Sequence, residues 1–258
     1  MDNGFAGYQW DRNDNGSWKP FRTSTDGTGS STENQFNESC SAQRTWEVPH
    51  DVGGLVSAMG GPGTFVRRYD FFFSMFSNIG SNWGGGANVR PDCRYFTAAN
   101  ETDLSAPWTA NWAGAPSRVQ STVSRILSTE FKNSVDGIPG NNDWGSLSTW
   151  YVSAAMGLHP MIPGVGGFSV STPRFQKITI NLENGKQVVI NLDKNPSTNG
   201  YISGLSINGQ TWDSTWIPVE KVRNNQSVNT IDMIVVGQAS NWGMTPLAAT
   251  APPSFGNQ

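Results

Sequence analysis

The chain has 258 residues, enough for one large domain or two small ones, and its net charge is −3. The basic residues are few and form no stripe, so nucleic acid and anionic membrane are not expected as partners. No apolar run approaches the length of a membrane span. Charged residues make up only 14% of the chain, whereas Gly, Asn, Ser and Thr are abundant, a composition that favours a secreted, carbohydrate-handling or all-β protein.

The cysteines and the glycosylation signals do not decide whether the chain is secreted. Cys40 and Cys93 are compatible with one disulfide or with two free thiols, and their spacing matches no metal motif. The N-terminus is polar and lacks the apolar segment of a signal peptide. Four Asn-x-Ser/Thr sequons, relevant only to a secreted chain, begin at Asn15, Asn37, Asn100 and Asn225.

The first part of the chain predicts irregular loops followed by helices. Residues 1–47 are rich in Gly, Asn, Asp, Ser and Thr, and their scattered aromatics argue against simple disorder. Asp51 is a good N-cap for a helix over Val52–Met59, and Thr64 opens a second helix that reaches Phe76. Further helices are expected over residues 105–113, over Pro116–Lys132 and directly after Asp143.

The loop before Asp143 is the most informative stretch. Residues 137–142 are dominated by Gly, Pro and Asn, which indicates a tight turn. In the simplest interpretation Asp143 or Ser146 caps the following helix, since capping Asp residues are common. The alternative is functional, because a carboxylate on a rigid loop at a helix start suits a site that must hold one acid in a fixed pose.

After Pro160 the apolar residues recur with a period of two, which predicts strands. Glu183-Asn-Gly-Lys186 marks a hairpin between two of them. We therefore expect a helical unit over residues 1–162, a small antiparallel β-sandwich over residues 163–246, and a loosely held tail over residues 247–258. The strand segments are Phe168–Ser171, Lys177–Leu182, Gln187–Leu192, Tyr201–Ile207 and Thr230–Val236.

Four blocks of residues, in order and with matching spacing, resemble the C-terminal half of glycoside hydrolase family 92, the calcium-dependent α-mannosidases. The resemblance extends from about Gly4 to Pro246. The blocks are Glu38-x-x-x-x-Gln43-x-x-Trp46-x-Val48-Pro49-His50-Asp51-x-x-Gly54-Leu55, Asn100-Glu101-x-Asp103-x-x-x-Pro107-Trp108-x-x-Asn111, Gly137-x-x-Gly140-Asn141-x-Asp143-x-Gly145-x-x-Ser148-x-Trp150-Tyr151, and Tyr201-Ile-x-x-Leu-x-Ile-Asn208-Gly209.

The resemblance implies a catalytic (α/α)6 barrel followed by a C-terminal β structure. The helices predicted here are too few to close a barrel of twelve, and the family's N-terminal β-sandwich is missing from this chain. The expected fold class is therefore α+β, with a partial (α/α)6 toroid of several paired helices followed by an antiparallel β-sandwich. An N-terminal β-sandwich segment is the partner that this fold would need.

The resemblance also implies a pair of catalytic carboxyl groups. Inverting glycosidases hold an acid and a base about 6.5–9.5 Å apart, which leaves room for a water molecule. The family places the general acid at Glu38 and the general base at Asp143. Taken alone, Glu38 is more simply a solvated loop residue. Family members commonly carry two acids in the base loop, whereas Asn141 and Asn142 occupy the positions beside Asp143 here.

A calcium ion and a sugar pocket complete the implied site. Calcium takes oxygen ligands, and the family assigns it to Asn100 and Glu101, where a structural turn is the alternative. The implied role of the ion is to bind sugar hydroxyls and help distort the ring. Core packing is the commoner role for a Trp, and Asp51 is equally a helix cap. The residues implied to line the pocket are Gln43, Trp46, His50, Asp51 and Asn141.

These implications give one leading hypothesis. The chain is expected to be a secreted or extracellular, inverting exo-α-mannosidase of the α-1,2-mannosidase type. Its substrate would be a mannose-containing oligosaccharide or glycoprotein glycan, as in N-glycan processing. The alternative is a non-catalytic carbohydrate-binding or truncated, inactive relative of the same family.

Overall fold

The computed structural model describes residues 13–17, 41–74, 95–196, 200–245 and 251–256. The predicted acid Glu38 and both cysteines, Cys40 and Cys93, lie outside these residues. Helices and sheets are both present, which confirms the α+β class. In the described ranges, no helix combines the length and apolar character that crossing a membrane requires.

The first half of the fold is built from helices. Several predicted bounds are wrong: the second long helix begins at Pro62 and not at Thr64 and ends at Phe72, and the helix predicted over Pro116–Lys132 ends at Thr129. Proline suits the first turn of a helix because its missing N–H has no intrahelical partner there. The α-helices are Ser41–Arg44 (α1), Val52–Ala58 (α2), Pro62–Phe72 (α3), Pro116–Thr129 (α4) and Ser146–Met156 (α5), and 3-10 helices cover Glu101–Asp103, Ala106–Ala113 and Asp143–Gly145.

Aromatic side chains form the core between these helices. Trp46 is 1% exposed, and its ring centroid lies 5.3 Å from those of Phe65 and Phe72 on α3. The hydroxyl of Tyr69 donates a 2.8 Å hydrogen bond to the carbonyl of Pro107. This bond ties α3 to the 3-10 helix Ala106–Ala113. The face of α3 that carries Phe65, Tyr69 and Phe72 is therefore buried.

The second half contains two sheets, one with the strand order β1-β2-β7 and one with the order β3-β4-β8-β5-β6. The predicted hairpin is confirmed, since β3 and β4 pair antiparallel through a 3-10 turn at Glu183–Gly185. The strands are Leu158–His159 (β1), Gly167–Val170 (β2), Lys177–Asn181 (β3), Gln187–Leu192 (β4), Tyr201–Ile207 (β5), Gln210–Thr211 (β6), Trp216–Pro218 (β7) and Val228–Val236 (β8), with a short helix at Val219–Val222 (α6).

The expectation of a wholly antiparallel arrangement is wrong, because β4 and β8 pair in parallel. Ile190 and Ile231 are partners in this ladder, and both are fully buried. The chain makes three further strands between β4 and β8, long enough for the crossover that a parallel pair requires.

Buried polar bonds join the helical half to the sheets. The side-chain amide of Asn111 donates to the hydroxyl of Ser169 at 2.8 Å and to the carbonyl of Val170 at 3.1 Å. The side-chain oxygen of Gln120 on α4 accepts from the backbone N–H of Ile202 on β5 at 2.9 Å. The division at residues 162 and 163, and the closure of the helices into part of an (α/α)6 toroid, stay predictions.

The C-terminal residues 251–256 are docked, unlike the loosely held tail that the sequence suggested. Trp112 donates its indole N–H to the carbonyl of Pro253 at 2.9 Å, and the backbone N–H of Phe255 donates to the carbonyl of His50 at 2.8 Å. The hydroxyl of Ser254 donates to Asp51 at 2.5 Å. Two of these acceptors, the carbonyl of His50 and the carboxylate of Asp51, lie at the N-terminus of α2, which the tail therefore covers.

Candidate active site

The loop that carries Asp143 has an unusual backbone. Asn142, Trp144 and Gly145 have φ angles of 56°, 53° and 75°, all in the left-handed region. Gly140 is required for close approach, since a Cβ on this residue would stand 2.5 Å from the carbonyl oxygen of Ala99. The loop is thus pressed against the segment that leads into Asn100.

The cap of helix α5 is not the predicted one. Neither Asp143 nor Ser146 caps it; the side-chain oxygen of Asn142 accepts a 2.9 Å hydrogen bond from the backbone N–H of Ser148. Asn tolerates the left-handed backbone better than most residues, and here that backbone turns its side chain toward the helix. The carboxylate of Asp143 is therefore not used as a cap, and its residue is exposed to solvent.

Substitution of Asn142 will show how much the cap contributes. Asn142→Ala is expected to lower the free energy of unfolding by about 1–2 kcal/mol, because it removes a cap and leaves Ala in a left-handed backbone. Asn142→Asp is expected to keep the stability, since its carboxylate also accepts from Ser148 and favours a helix N-terminus. Urea unfolding measures both variants. An equal loss in Asn133→Ala, a control at an exposed loop position, would contradict the assignment.

The structure brings the base loop and the predicted metal residues together. The hydroxyl of Ser146 donates a 2.9 Å hydrogen bond to Oε1 of Glu101. Asp103, two residues further on, is fully buried, and its Oδ2 accepts from the backbone N–H of Thr97 at 2.8 Å. Asn100 is 2% exposed. A buried, hydrogen-bonded turn therefore holds Glu101 beside the loop of Asp143.

The side chains at this turn fit a hard cation in type. Asn100 and Glu101 offer an amide and a carboxylate oxygen, the donors that calcium takes. The Thr102 hydroxyl between Glu101 and Asp103 is buried and has no hydrogen-bond partner among the described residues. In the same part of the chain, no group of three or more His, Cys, Asp or Glu residues is placed to hold a metal. By themselves, Asn100 and Glu101 would supply only part of a coordination shell.

Two residues that were predicted to contact sugar, Trp46 and Gln43, are buried in this structure. Trp46 lies inside the aromatic cluster, where the commoner role of a Trp applies. Gln43 is 3% exposed, and its side-chain N–H donates to the carbonyl of Tyr95 at 3.3 Å. Both side chains are turned into the protein, and their contact with a sugar stays a prediction. The pattern of the first block does not distinguish pocket lining from core.

Asp51 is a helix cap, as the alternative interpretation held. Its Oδ1 accepts from the backbone N–H of Gly54 at 3.0 Å and from the hydroxyl of Ser254. The Ser254 hydrogen bond is the main reason why the pKa of Asp51 lies below its usual value; burial opposes it, and the Gly54 and Gly256 N–H groups add smaller contributions that lower the pKa further. His50 is exposed, and its carbonyl accepts from the docked tail. Asn141 is exposed near Asp143.

Trp144 is the residue that sequence analysis missed. It follows Asp143 directly, and its side chain is fully exposed. The available signal was its position, since a Trp among Gly, Asn and Asp lies outside the apolar pattern of the helix that follows. The exposed side chains at this loop are thus Asn141, Asp143 and Trp144.

Comparisons with known proteins agree on one family. The family model of the glycosyl hydrolase family 92 catalytic domain matches residues 3–232 of this chain. An uncharacterized secreted glycosidase of Arthroderma benhamiae is 27% identical over an alignment of 266 positions, gaps included. The alignment covers 99% of this chain and 31% of the relative.

Solved structures establish the fold. A family 92 α-mannosidase from Bacteroides thetaiotaomicron, in complex with mannoimidazole, superposes with a TM-score of 0.82 at 24% identity, over 98% of this chain and 33% of the other. An inverting mannosidase of the same family and species gives a TM-score of 0.77 at 22% identity, over 97% and 34%. The chain therefore spans about a third of the length of these relatives.

Proposed function

Because the chain belongs to glycosyl hydrolase family 92, we propose that it acts in an inverting exo-α-mannosidase of the α-1,2 type. Its substrates would be mannose-containing oligosaccharides or glycoprotein glycans, encountered outside the cell. One observation carries the proposal: Asp143 is exposed on a strained loop that Asn142 and Ser146 fix in place by hydrogen bonds. The structures of mannosidases with the same fold support it.

The chemistry assigned to the two carboxyl groups follows from inversion. Asp143 takes a proton from a water molecule while the water oxygen forms a bond to the anomeric carbon. The bond from that carbon to the leaving oxygen breaks, and Glu38 gives its proton to that oxygen. The attack comes from the face opposite the leaving group, so the product mannose has the β configuration.

Asn100 and Glu101 are proposed to hold calcium beside this loop. When bound, the ion would supply contacts to sugar hydroxyls. Ser146 lies three residues after Asp143, and its hydroxyl donates a hydrogen bond to Glu101. It therefore links the loop of Asp143 to the proposed calcium ligands. The residues of this chain therefore position the base relative to the proposed ion.

Hydrolysis of α-1,2-mannobiose by the full chain tests the activity. Proton NMR of the first product is expected to show β-mannose, and EGTA is expected to abolish the reaction. If calcium-replete protein binds mannobiose without cleaving it, and the affinity is unchanged in Asp143→Ala, the non-catalytic alternative is favoured. Absence of both binding and cleavage contradicts the proposed function for this chain.

A separate measurement tests the ion. Millimolar calcium is expected to raise the thermal unfolding midpoint, because a ligand that binds the folded state stabilises it. Glu101→Gln is expected to remove this shift. Glu183→Gln, a control at an exposed hairpin position, is expected to retain it. An equal shift in Glu101→Gln would place the ion elsewhere.

A further inference from the structure

Trp144 combines two unfavourable features at one position. Its φ and ψ angles are 53° and 17°, a left-handed backbone that a bulky residue adopts only at a free-energy cost. Its relative exposure is 106%, so the indole leaves its whole apolar surface in water. No other tryptophan in the described part of the chain is exposed. The strained backbone and the exposed indole both lower stability, so packing does not explain why a tryptophan occupies this position.

Hydrogen bonds on both sides of Trp144 impose this conformation. The N–H of Gly145 donates to the carbonyl of Asn142 at 2.9 Å, which closes the turn around Trp144. The Asn142 side chain accepts from the N–H of Ser148, and Ser146 is tied to Glu101. These bonds hold the backbone on both sides of Trp144, and the indole is exposed to solvent on the residue that follows Asp143.

We propose that Trp144 is a sugar-binding platform, on which a pyranose ring of the substrate stacks while Asp143 acts beside it. One face of a pyranose carries C–H groups, which are attracted to the electron-rich face of an indole. The exposed neighbours Asn141 and Asp143 offer the hydrogen-bonding groups that sugar hydroxyls need. A single aromatic surrounded by such groups fits a glycan better than an apolar protein surface. The inference rests on the proposed function, in which the substrate is a glycan.

Fluorine NMR of the full chain labelled with 5-fluorotryptophan tests this contact directly. Trp144→Phe identifies the Trp144 resonance by removing it. Titration with α-1,2-mannobiose is expected to shift this resonance to saturation, while the signals of the buried tryptophans move little. The same titration is made with methyl galactoside and with methyl glucoside, to show whether the site prefers mannose. No shift of the Trp144 resonance with any of the three sugars overturns the proposal.

The outcomes separate this inference from the proposed activity. A shift with galactoside or glucoside alone supports the platform and contradicts mannose as the substrate. Cleavage of mannobiose without a Trp144 shift supports the activity and overturns the platform. The NMR titration reports binding, so it does not depend on how fast the protein hydrolyses mannobiose.

Kinetics give a second measurement in an active sample. Trp144→Ala is expected to raise KM for mannobiose by about 3–10-fold, the range that an aromatic contact typically provides, while Trp144→Phe retains most of the affinity. The thermal unfolding midpoint of both variants is expected to stay at or above that of the wild type, because the indole makes no ring contact in the described structure. Phe175→Ala, at another exposed aromatic, is the control and is expected to leave KM unchanged. An unchanged KM in Trp144→Ala overturns the platform.

Discussion

Replacement of Asp143 by Asn is expected to lower kcat for α-mannoside hydrolysis by about 10²–10⁴-fold, the usual contribution of a general base. Asn has nearly the same shape but does not accept the proton of the attacking water. Stability is expected to change by less than about 0.5 kcal/mol, as for most exposed positions, because the helix cap comes from Asn142 and not from Asp143. The loss is therefore expected in the rate and not in the folded fraction.

Asp136→Asn is the matched control for this experiment. Asp136 is an exposed acid in the segment that leads into the same loop, and no role in the site is assigned to it. Its pKa is held below the usual value mainly by a hydrogen bond from Ser134. Initial rates and urea unfolding are measured for both variants. Equal rates in Asp143→Asn and the wild type would remove Asp143 as the base.

Features that depend on neighbours in sequence were predictable. Asp51 followed by apolar residues at helical spacing indicated a capped helix, and the structure has α2 at Val52–Ala58 with Asp51 as its cap. The Glu183–Gly185 turn was also predictable, since Asn184 and Gly185 both adopt the left-handed backbone that such turns require. In both cases the interacting residues lie within a few positions of each other, so a short stretch of sequence is enough to predict the structure.

Features that depend on distant partners were not predictable. The parallel pairing of β4 with β8 joins residues about 40 positions apart, and the strand pattern is the same for either direction. The contact of Ser254 with Asp51 spans a separation of 203 residues. Burial of Trp46 depends on where α3 lies, which a motif does not specify.

The candidate site shows the same division at finer scale. Turn residues indicated a tight loop before Asp143, and the structure has one. The identity of the cap depended on the backbone of Asn142, which is left-handed and whose side chain accepts from the N–H of Ser148. The link from Ser146 to Glu101 joins two loops and has no local signature.

Acidification is expected to destabilise the protein through His159. Its ring stacks on Trp108 with centroids 4.8 Å apart, and its Nδ1 lies 2.9 Å from the hydroxyl of Ser153. Burial lowers the pKa of His159 from 6.5 to about 3. The folded state therefore keeps the ring neutral at pH values where the unfolded chain protonates it.

The sign of the effect follows from proton linkage. Between pH 6.5 and about 3 the unfolded state binds more protons than the folded state, so the free energy of unfolding falls as the pH falls. From pH 7 to pH 5 this single group is expected to remove about 2 kcal/mol. The lowered pKa of Asp51 acts at lower pH, since its contribution is lost only as the pH falls below about 3.8. The interval from pH 7 to pH 5 therefore excludes the contribution of Asp51.

Urea unfolding of His159→Gln at pH 7 and pH 5 tests this assignment. The variant is expected to lose about 2 kcal/mol less than the wild type over this interval, whatever its stability at pH 7, because the amide does not titrate. The chain has two histidines, so His50→Gln is the complementary control, and His50 is exposed. It is expected to keep the wild-type dependence on pH. If the dependence disappears in His50→Gln and persists in His159→Gln, the acid sensitivity arises at His50, which contradicts the assignment to His159.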